Sequence, residues 1–586
     1  MRSPFVSLVL VFLLVTGIGV TLSGCDSGPD TPNTGVANTP SATFQPASPL
    51  TADDVRTIIA QAVTQAVARN VRATIAVIDR GGNVLGVFQM TNARTETVIG
   101  SSRSPNKGGL EGVAVPTTLA AVSKAGTGAF LSSNGNAFST RTASDIIQEH
   151  RPVSVSFVAG GPLFGVQFSS LPCTDIKNPP LPLGLAGDPG GMPLYKNGTL
   201  VGGIGVESDG AYTIDLNPFD TEIPEEELIA VAGSRGFEAP TGIRSDQILL
   251  DGVRLPYSNA TQPPALSTIP FANLPGVVVE VRVPAFTFFN GTIQGTTDPT
   301  FGFAAANIGG RDVRIAVDRQ GNNRFPPRNG SVLTAAEVDR ILTQAIQTAY
   351  VLRAAIREPQ ASFVQVNVFV VDADGTVLGY RGTPDAPVFG FDVSAQKARA
   401  AAFFSGANAG RDLRTAGLGQ FVDAARRDGI ALDGSIAFSN RGVGFLHRPF
   451  LPDGFDGTPP GPFSTSLPEW SPFNVGLQLA VVQDALVTIL GGGRIPTDAA
   501  GNPKCSGSIR GIQNGTQIFA GSVPLYKNGQ LVGGVGVSGD GIDQDDNVAL
   551  GGSLGFEAPE AMRSDQVLVR NARLPFVKLP RNPDNF

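Results

Sequence analysis

The feature that most constrains this chain is an internal duplication, because one series of motifs occurs twice in the same order. The matched segments are 50–55 with 333–338, 77–86 with 370–379, 193–198 with 524–529, 236–240 with 555–559, and 244–247 with 563–566. Ordered self-similarity of this kind is the signature of a repeated structural unit. The 586 residues are enough for two domains with proper hydrophobic cores. We therefore predict two tandem copies of one domain.

Each copy begins with a predicted helix that is followed by a β-hairpin. Thr51 is a natural N-cap and Asp54 stands at the capping-box position, as Thr334 and Glu337 do in the second copy. Apolar residues then recur at helical spacing. Alternating apolar segments that flank a Gly-containing turn predict the hairpin. The predicted hairpins cover residues 74–88 and 366–380.

A second helix and a second hairpin complete each copy. Residues 117–131 and 394–404 are predicted helices whose small side chains suit close packing on a sheet. The hairpin at 193–206 turns at Asn-Gly, the strongest two-residue turn signal. Its glycines imply that either a helix backbone or a ligand comes very close to the strand. These elements predict an α+β fold of the α/β sandwich type, in which each domain is an antiparallel sheet flanked by helices.

The remaining segments lie outside or between the two copies. The chain has 72 glycines and 45 prolines, which predict many turns and long loop insertions. Strand-like runs at 277–283 and 313–317 predict a short β-rich connector that packs on the domains. The predicted parts are a signal peptide (1–24), a lipidated cysteine with a disordered tether (25–49), the first copy (50–257), the connector (258–330), the second copy (331–577) and a tail (578–586).

The N-terminus has the layout of an exported lipoprotein. An apolar run follows Arg2 and ends at Leu22-Ser23-Gly24-Cys25, which resembles a lipobox. The run at 8–20 is shorter than the roughly 20 apolar residues that a membrane-spanning helix needs. Residues 26–49 are rich in Ser, Thr, Pro, Asn and Gly and predict a flexible tether. We expect the mature chain to be exported and anchored through lipid on Cys25, on the periplasmic or cell-surface side.

The ordered motifs resemble the GlcG/HbpS family, to which the C-terminal domain of PduO proteins is related. The segments that carry this resemblance are 76–85, 124–130 and 191–206 in the first copy, and 370–378, 397–403 and 523–539 in the second. Members are extracytoplasmic or accessory proteins that generally form oligomers. Several of them bind haem. The resemblance therefore implies haem or a related tetrapyrrole as the ligand and a homo-oligomer as the assembly. An envelope protein is the partner expected if the chain is instead a structural lipoprotein. This chain departs from the family in its long insertions and its tandem fusion.

The two histidines of the sequence occupy corresponding places in the two copies. His150 is followed by Arg151, and His447 is followed by Arg448. Imidazole is a common axial ligand of haem iron, and a neighbouring arginine can pair with a propionate. The alternative is a pair of loop histidines that hydrogen-bond to backbone carbonyls. The resemblance also assigns a haem contact to Thr127, where the second copy has alanine.

Cys173 and Cys505 correspond as well. They predict a disulfide, either between the two copies or between two molecules, while thiolate ligation of iron and free buried thiols remain alternatives. No Cys/His cluster has the spacing of a zinc site. We interpret Tyr195 and Tyr526 as packing residues rather than phenolate ligands. The acidic segment 540–547 is interpreted as a solvated loop rather than a calcium site.

Charge and motifs narrow the function. The chain has 43 basic and 50 acidic side chains and no basic stripe, so nucleic acid is not an expected partner. It contains no P-loop, and the glycines at 202–205 lie inside a predicted hairpin, which makes phosphate binding there a poor explanation. Haem degradation is the remaining enzymatic candidate. We predict a membrane-tethered haem- or tetrapyrrole-binding protein in iron or haem handling or sensing. The alternative is a structural or interaction lipoprotein without a ligand.

Overall fold

The computed structural model describes residues 48–101, 108–284 and 286–579. The predicted signal peptide, Cys25, nearly all of the tether and most of the predicted tail lie outside the described residues. Among the helices that are described, none is long and apolar enough to cross a membrane.

Helices and strands alternate in a similar order in the two copies. The first copy contains α1 (Ala52–Ala68), β1 (Thr74–Asp79), β2 (Val84–Met90), β3 (Glu96–Ile99), β4 (Ala114–Pro116), α2 (Thr117–Leu131), α3 (Thr140–Ile146), β5 (Gly191–Lys196), β6 (Thr199–Glu207), β7 (Ala211–Tyr212), α4 (Glu225–Gly233), β8 (Leu249–Leu250) and β9 (Val253–Arg254). The connector contains β10 (Gly276–Val278), β11 (Val281–Val283), β12 (Phe286–Phe289), β13 (Phe303–Ile308) and β14 (Arg311–Ala316). The second copy contains α5 (Ala335–Ala349), β15 (Val366–Asp372), β16 (Val377–Gly382), α6 (Phe389–Phe404), α7 (Ala409–Thr415), α8 (Gly419–Arg427), α9 (Asn440–Leu446), α10 (Leu477–Leu490), β17 (Ser522–Lys527), β18 (Gln530–Gly539), α11 (Ile542–Gly552), β19 (Leu568–Val569) and β20 (Ala572–Arg573).

Each copy is built around one antiparallel sheet with helices on its faces, which confirms the predicted α+β class. The strand order is β10-β2-β1-β6-β5 in the first copy and β13-β14-β16-β15-β18-β17 in the second. The predicted capping boxes are present at the starts of α1 and α5. At the Asn-Gly turn, Asn197 and Gly198 have φ of 51° and 77°, the left-handed conformation that a tight hairpin requires.

Side chains of β1 alternate between two hydrophobic clusters. Ile75 and Val77 pack with α1 and α4, whereas Ala76 and Ile78 pack with α2 on the opposite face. The cluster around α2 also contains residues of α6, such as Phe389 and Phe403, together with much of both insertions. The two copies therefore share one central core, and α1 with α4 and α5 with α11 cover the outer faces of the two sheets.

Buried ion pairs also join the copies. Arg80, in the turn after β1, lies 3.0 Å from the Asp385 carboxylate of the second copy. The same carboxylate lies 2.7 Å from Arg357, which also pairs with Asp540. All four side chains are buried. Arg357 thus holds Asp385 within the second copy, and the Arg80–Asp385 pair joins that copy to the first.

Two elements differ from the sequence-based expectation. The connector does not only pack on the domains, because β10 pairs with β2 in the first sheet and β14 pairs with β16 in the second. In addition, α6 begins at Phe389 and not at Ser394, which adds one apolar turn against the central core. Long-range pairing and burial decide both features, and neither leaves a local sequence signal.

Candidate functional site

A cavity of about 530 Å³ lies between the two copies and is lined by residues of both. Much of its wall is apolar, with Leu163 and Leu250 from the first copy and Leu352 and Ile542 from the second. Its volume is within the range of roughly 300–1,000 Å³ that is usual for small-molecule sites. The cavity is therefore large enough for a ligand of cofactor size.

The two walls of the cavity are not equivalent. Residues 249–251 of the first copy line it, whereas their counterparts in the repeat, 568–570, do not. Likewise, Arg441 lines the cavity, but Arg141, the matching residue of the first copy, does not. This cavity is therefore asymmetric.

Arg151 and Arg448, two predicted site residues, both line this cavity. The Nε atom of Arg151 lies 2.9 Å from the Asp145 carboxylate, and its Nη1 donates to the Leu250 carbonyl at 3.0 Å. The guanidinium of Arg448 lies 3.3 Å from Asp453 and 4.7 Å from the centre of the Phe164 ring. Each arginine is thus held by the protein at the cavity wall.

Positive charge predominates among the lining residues. The basic residues are Arg151, Arg353, Arg441, Arg448 and Lys578, and the acidic residues are Asp251, Asp453 and Asp543. Arg353 is exposed and takes part in no ion pair within the described part of the chain. Arg151 and Arg441 also pair with Asp145 and Asp546, two carboxylates that do not line the cavity, which leaves Arg353 as the lining cation that nothing compensates in the described chain. It favours an anionic ligand.

The two histidines do not lie on the wall of the cavity. The His150 Nε2 atom lies 2.7 Å from the Asp456 carboxylate, and its ring packs on Phe450 with the centroids 5.0 Å apart. His447 is completely buried, and its ring lies 5.1 Å from that of Phe463. Although each histidine precedes a lining arginine, its imidazole packs elsewhere.

The His447 ring is held in one tautomer. Its Nδ1 lies 2.8 Å from the Val443 carbonyl oxygen, which only accepts, so Nδ1 carries the proton. Burial lowers the pKa of the imidazole to about 4, so the ring is neutral at neutral pH. Nε2 then carries the lone pair and has no hydrogen-bond partner. A ligand reaching this atom would first have to open the surrounding core.

Thr127 is also inaccessible, because the insertion of the first copy covers α2. Its hydroxyl accepts from the Ala186 backbone N–H at 2.7 Å and donates to the Ser123 carbonyl at 3.2 Å. Leu181 lies over Gly126 so closely that a Cβ on that glycine would be 2.6 Å away. The insertion thus covers the surface of α2 where the resemblance places a haem contact.

Cys173 and Cys505 form a disulfide that links the two insertions. Both residues are buried in the central core. The sequence left open a disulfide between the copies, a disulfide between two molecules, thiolate ligation and free thiols. The structure shows the disulfide between the two copies of one chain. The sulfur atoms are therefore not available as thiolate ligands.

The tyrosines and the acidic segment have structural surroundings. Tyr195 is buried, and its hydroxyl donates to the Ser133 carbonyl at 2.7 Å; Tyr526 is buried as well. The prediction of a solvated acidic loop is wrong, since residues 542–552 form α11. There Asp545 and Asp546 are buried beside Lys397 and Arg441, whose charges compensate theirs.

A buried charge cluster in the first copy was not predicted from the sequence. The Nζ atom of Lys124 lies 2.7 Å from Asp188 and 2.9 Å from Glu207, and it also pairs with Glu226. Because this ammonium already lies among the three carboxylates, we interpret the group as an ion-pair network. Alignment of the repeats could have revealed one pair, since Glu226 matches Asp545, the partner of Lys397.

The two copies differ at the other positions of this cluster. The counterparts of Asp188 and Glu207 in the second copy are Phe519 and Ser538. Lys397 lies 2.9 Å from Asp545 and 4.5 Å from the centre of the Phe519 ring. The first copy therefore buries more carboxylates around its lysine than the second.

Comparison with known proteins agrees with the family resemblance for one part of the chain. Residues 473–553 match the model of a family described as haem degrading protein HbpS-like. This segment is similar to that family. It comprises α10, β17, β18 and α11, and so includes the glycine-rich hairpin and Asp545.

Two solved structures resemble the chain at low identity. The Klebsiella pneumoniae protein ORFY is 20% identical, with 32% of this chain and 90% of that chain covered and a TM-score of 0.20. A PduOC–heme complex is 17% identical, with 39% of this chain and 96% of that chain covered and a TM-score of 0.18. No match was found among the curated proteins.

Proposed function

We propose that this protein is a membrane-tethered, extracytoplasmic tetrapyrrole-binding protein, of use in haem or iron handling or sensing, and that its ligand lies in the cavity between the copies. The observation that carries this proposal is the combination of apolar walls with an excess of cationic side chains in one cavity of about 530 Å³. Haem and its relatives combine a flat apolar body with carboxylate groups. The HbpS-like segment supports the same ligand class.

The residues present fit the organic part of haem but not its iron. Arg353, which has no ion-pair partner in the described chain, can pair with a propionate, and the leucines of both copies can pack on the ring. Arg151 and Arg448 already pair with Asp145 and Asp453 at the same wall. However, the described lining contains no His, Cys, Met or Tyr, the residues that serve as axial ligands. Axial ligation by His150 and His447 stays a prediction from the sequence.

Titration with haem, followed by absorption spectroscopy, tests the proposal. We expect saturable binding that weakens about tenfold in Arg353→Ala, because a hydrogen bond to a charged group contributes roughly 1.5–3 kcal/mol. Arg411→Ala is the matched control, since this arginine is exposed on α7 and does not line the cavity. Equal affinity in wild type and Arg353→Ala would remove the cavity as the site.

The tether is tested separately. Cys25→Ala should move the protein from the membrane fraction to the soluble fraction of its host cell, because the acylated side chain is lost. The cavity and the anchor are independent, so haem affinity in detergent should not change. A variant that stays in the membrane fraction would count against the lipid anchor.

A second candidate is a structural or interaction lipoprotein, which is favoured by the coverage of Thr127 by the insertion. This candidate would be supported if the protein purified from its native envelope is colourless, does not bind added tetrapyrrole and copurifies with an envelope protein. Haem degradation, named in the family description, requires release of iron or a bilin when haem and a reductant are added.

A further inference from the structure

On the basis of the function proposed above, we infer that the cavity takes an iron-free tetrapyrrole dicarboxylate, a porphyrin or a bilin, and holds it by its carboxylates and not through a metal. A single copy does not contain this site, because the cavity lies where the two copies meet and each copy supplies a different wall.

The first step concerns the iron. Stable haem binding normally uses a His, Cys, Met or Tyr side chain, and none of these stands among the described residues of the wall. The histidines that precede Arg151 and Arg448 are bound elsewhere, to Asp456 and to the Val443 carbonyl. Iron would therefore gain no protein ligand from this wall.

The second step concerns the carboxylates. Arg151 and Arg448 come from equivalent positions of the two copies and are each about 8% exposed. They already pair with Asp145 and Asp453, so they form fixed ion pairs at the wall. Arg353 adds an exposed guanidinium without an ion-pair partner in the described chain. Guanidinium groups bind carboxylates by paired hydrogen bonds, which a metal-free ligand offers as well as haem does.

The third step concerns the body of the ligand. Leucine and isoleucine side chains from both copies face the cavity, and Gly160, Gly539 and Gly541 line it without side chains of their own. A flat, apolar ring system can bury its faces against such walls, and burial of apolar area supplies affinity without any metal bond.

The experiment compares three probes with the full chain: protoporphyrin IX, its dimethyl ester and haem. We expect protoporphyrin IX to bind within about threefold of haem, and the ester to bind at least tenfold more weakly because its carboxylates are blocked. Arg353→Ala should weaken protoporphyrin IX about tenfold, whereas Arg411→Ala should leave its affinity unchanged.

The histidine variants complete the test. His150→Ala and His447→Ala should leave the haem absorption spectrum unchanged, while circular dichroism confirms that both variants are folded. Haem binding at least a hundredfold tighter than protoporphyrin IX, with a Soret band that shifts in either histidine variant, would overturn the inference and the cavity as the site, and would leave tetrapyrrole binding by this protein standing. Absence of binding by all three probes would overturn both.

Discussion

Gly203 in β6 lies against Ala125 in α2 so closely that a Cβ on the glycine would be 2.1 Å from the alanine carbonyl oxygen. The second copy repeats this relationship, with 2.3 Å between a Cβ on Gly534 and the Ala398 carbonyl oxygen. The glycine-rich strands are therefore explained by a helix backbone and not by a ligand. The shared contact sets how closely the helix and sheet of each copy approach.

Gly203→Ala should lower the free energy of unfolding by about 1–3 kcal/mol, because the added methyl group overpacks the contact between α2 and β6. Urea unfolding measures the change. Gly242→Ala is the control, since a Cβ there meets nothing within 4 Å and should have little effect. Equal stability of both variants would show that α2 can move away from the sheet.

Replacement of both Cys173 and Cys505 by alanine should lower the free energy of unfolding by about 2–5 kcal/mol, because the disulfide closes a long loop in the unfolded chain. Chemical unfolding with and without reductant measures this. Mass spectrometry of unreduced peptides should find the two cysteines joined within one monomer. A covalent dimer through these residues would contradict the structure.

Asp385→Ala should destabilise the protein by about 3–5 kcal/mol, because it leaves Arg80 and Arg357 buried without their shared carboxylate. Asp423→Ala breaks the exposed pair with Arg414 and should cost at most about 1 kcal/mol. Thermal unfolding of the two variants gives the comparison. Similar melting temperatures would mean that water reaches the junction of the copies.

The buried carboxyl groups should make stability fall as the pH rises through neutrality. Burial raises the pKa of Glu226 from 4.5 to about 7 and that of Asp545 from 3.8 to about 7, despite the lysine beside each. Their protonated forms stabilise the fold fully below the unfolded pKa, and this contribution is lost as the pH passes about 7.

The double variant Glu226→Gln, Asp545→Asn should show a flatter pH dependence of the unfolding free energy between pH 4.5 and 7.5 than the wild type. Urea unfolding at several pH values measures it. An unchanged slope would mean that other groups bind the proton.

His447 should show the opposite sign. Because its pKa is lowered from 6.5 to about 4 by burial, the unfolded chain binds a proton that the folded chain does not, and stability is lost as the pH falls below about 6.5. In the His150→Gln variant the one remaining imidazole gives a single Hε1 resonance in the proton NMR spectrum. That resonance should not shift between pH 5.5 and 8, and titration near 6.5 would place the ring in water.

Sequence reasoning reached the features that local chemistry determines. The capping box at Thr51 and the hairpin turn at Asn197 depend on residues within four positions of one another, and the structure confirms both. The covering of Thr127 by Ala186 and the entry of β10 into the first sheet depend on distant segments. Local residue patterns do not reveal contacts between distant segments. Because the cavity is formed by such contacts between the copies, the sequence did not predict it.

The unequal walls of the cavity have a consequence for how such a site can change. In a symmetric homodimer every substitution at the interface appears on both sides at once, so the two ends of a ligand must be recognised alike. Here Arg353 and residues 249–251 are each encoded once and face the cavity from one side only. Selection can therefore adjust one end of the site while the other is left intact, a freedom that identical subunits lack.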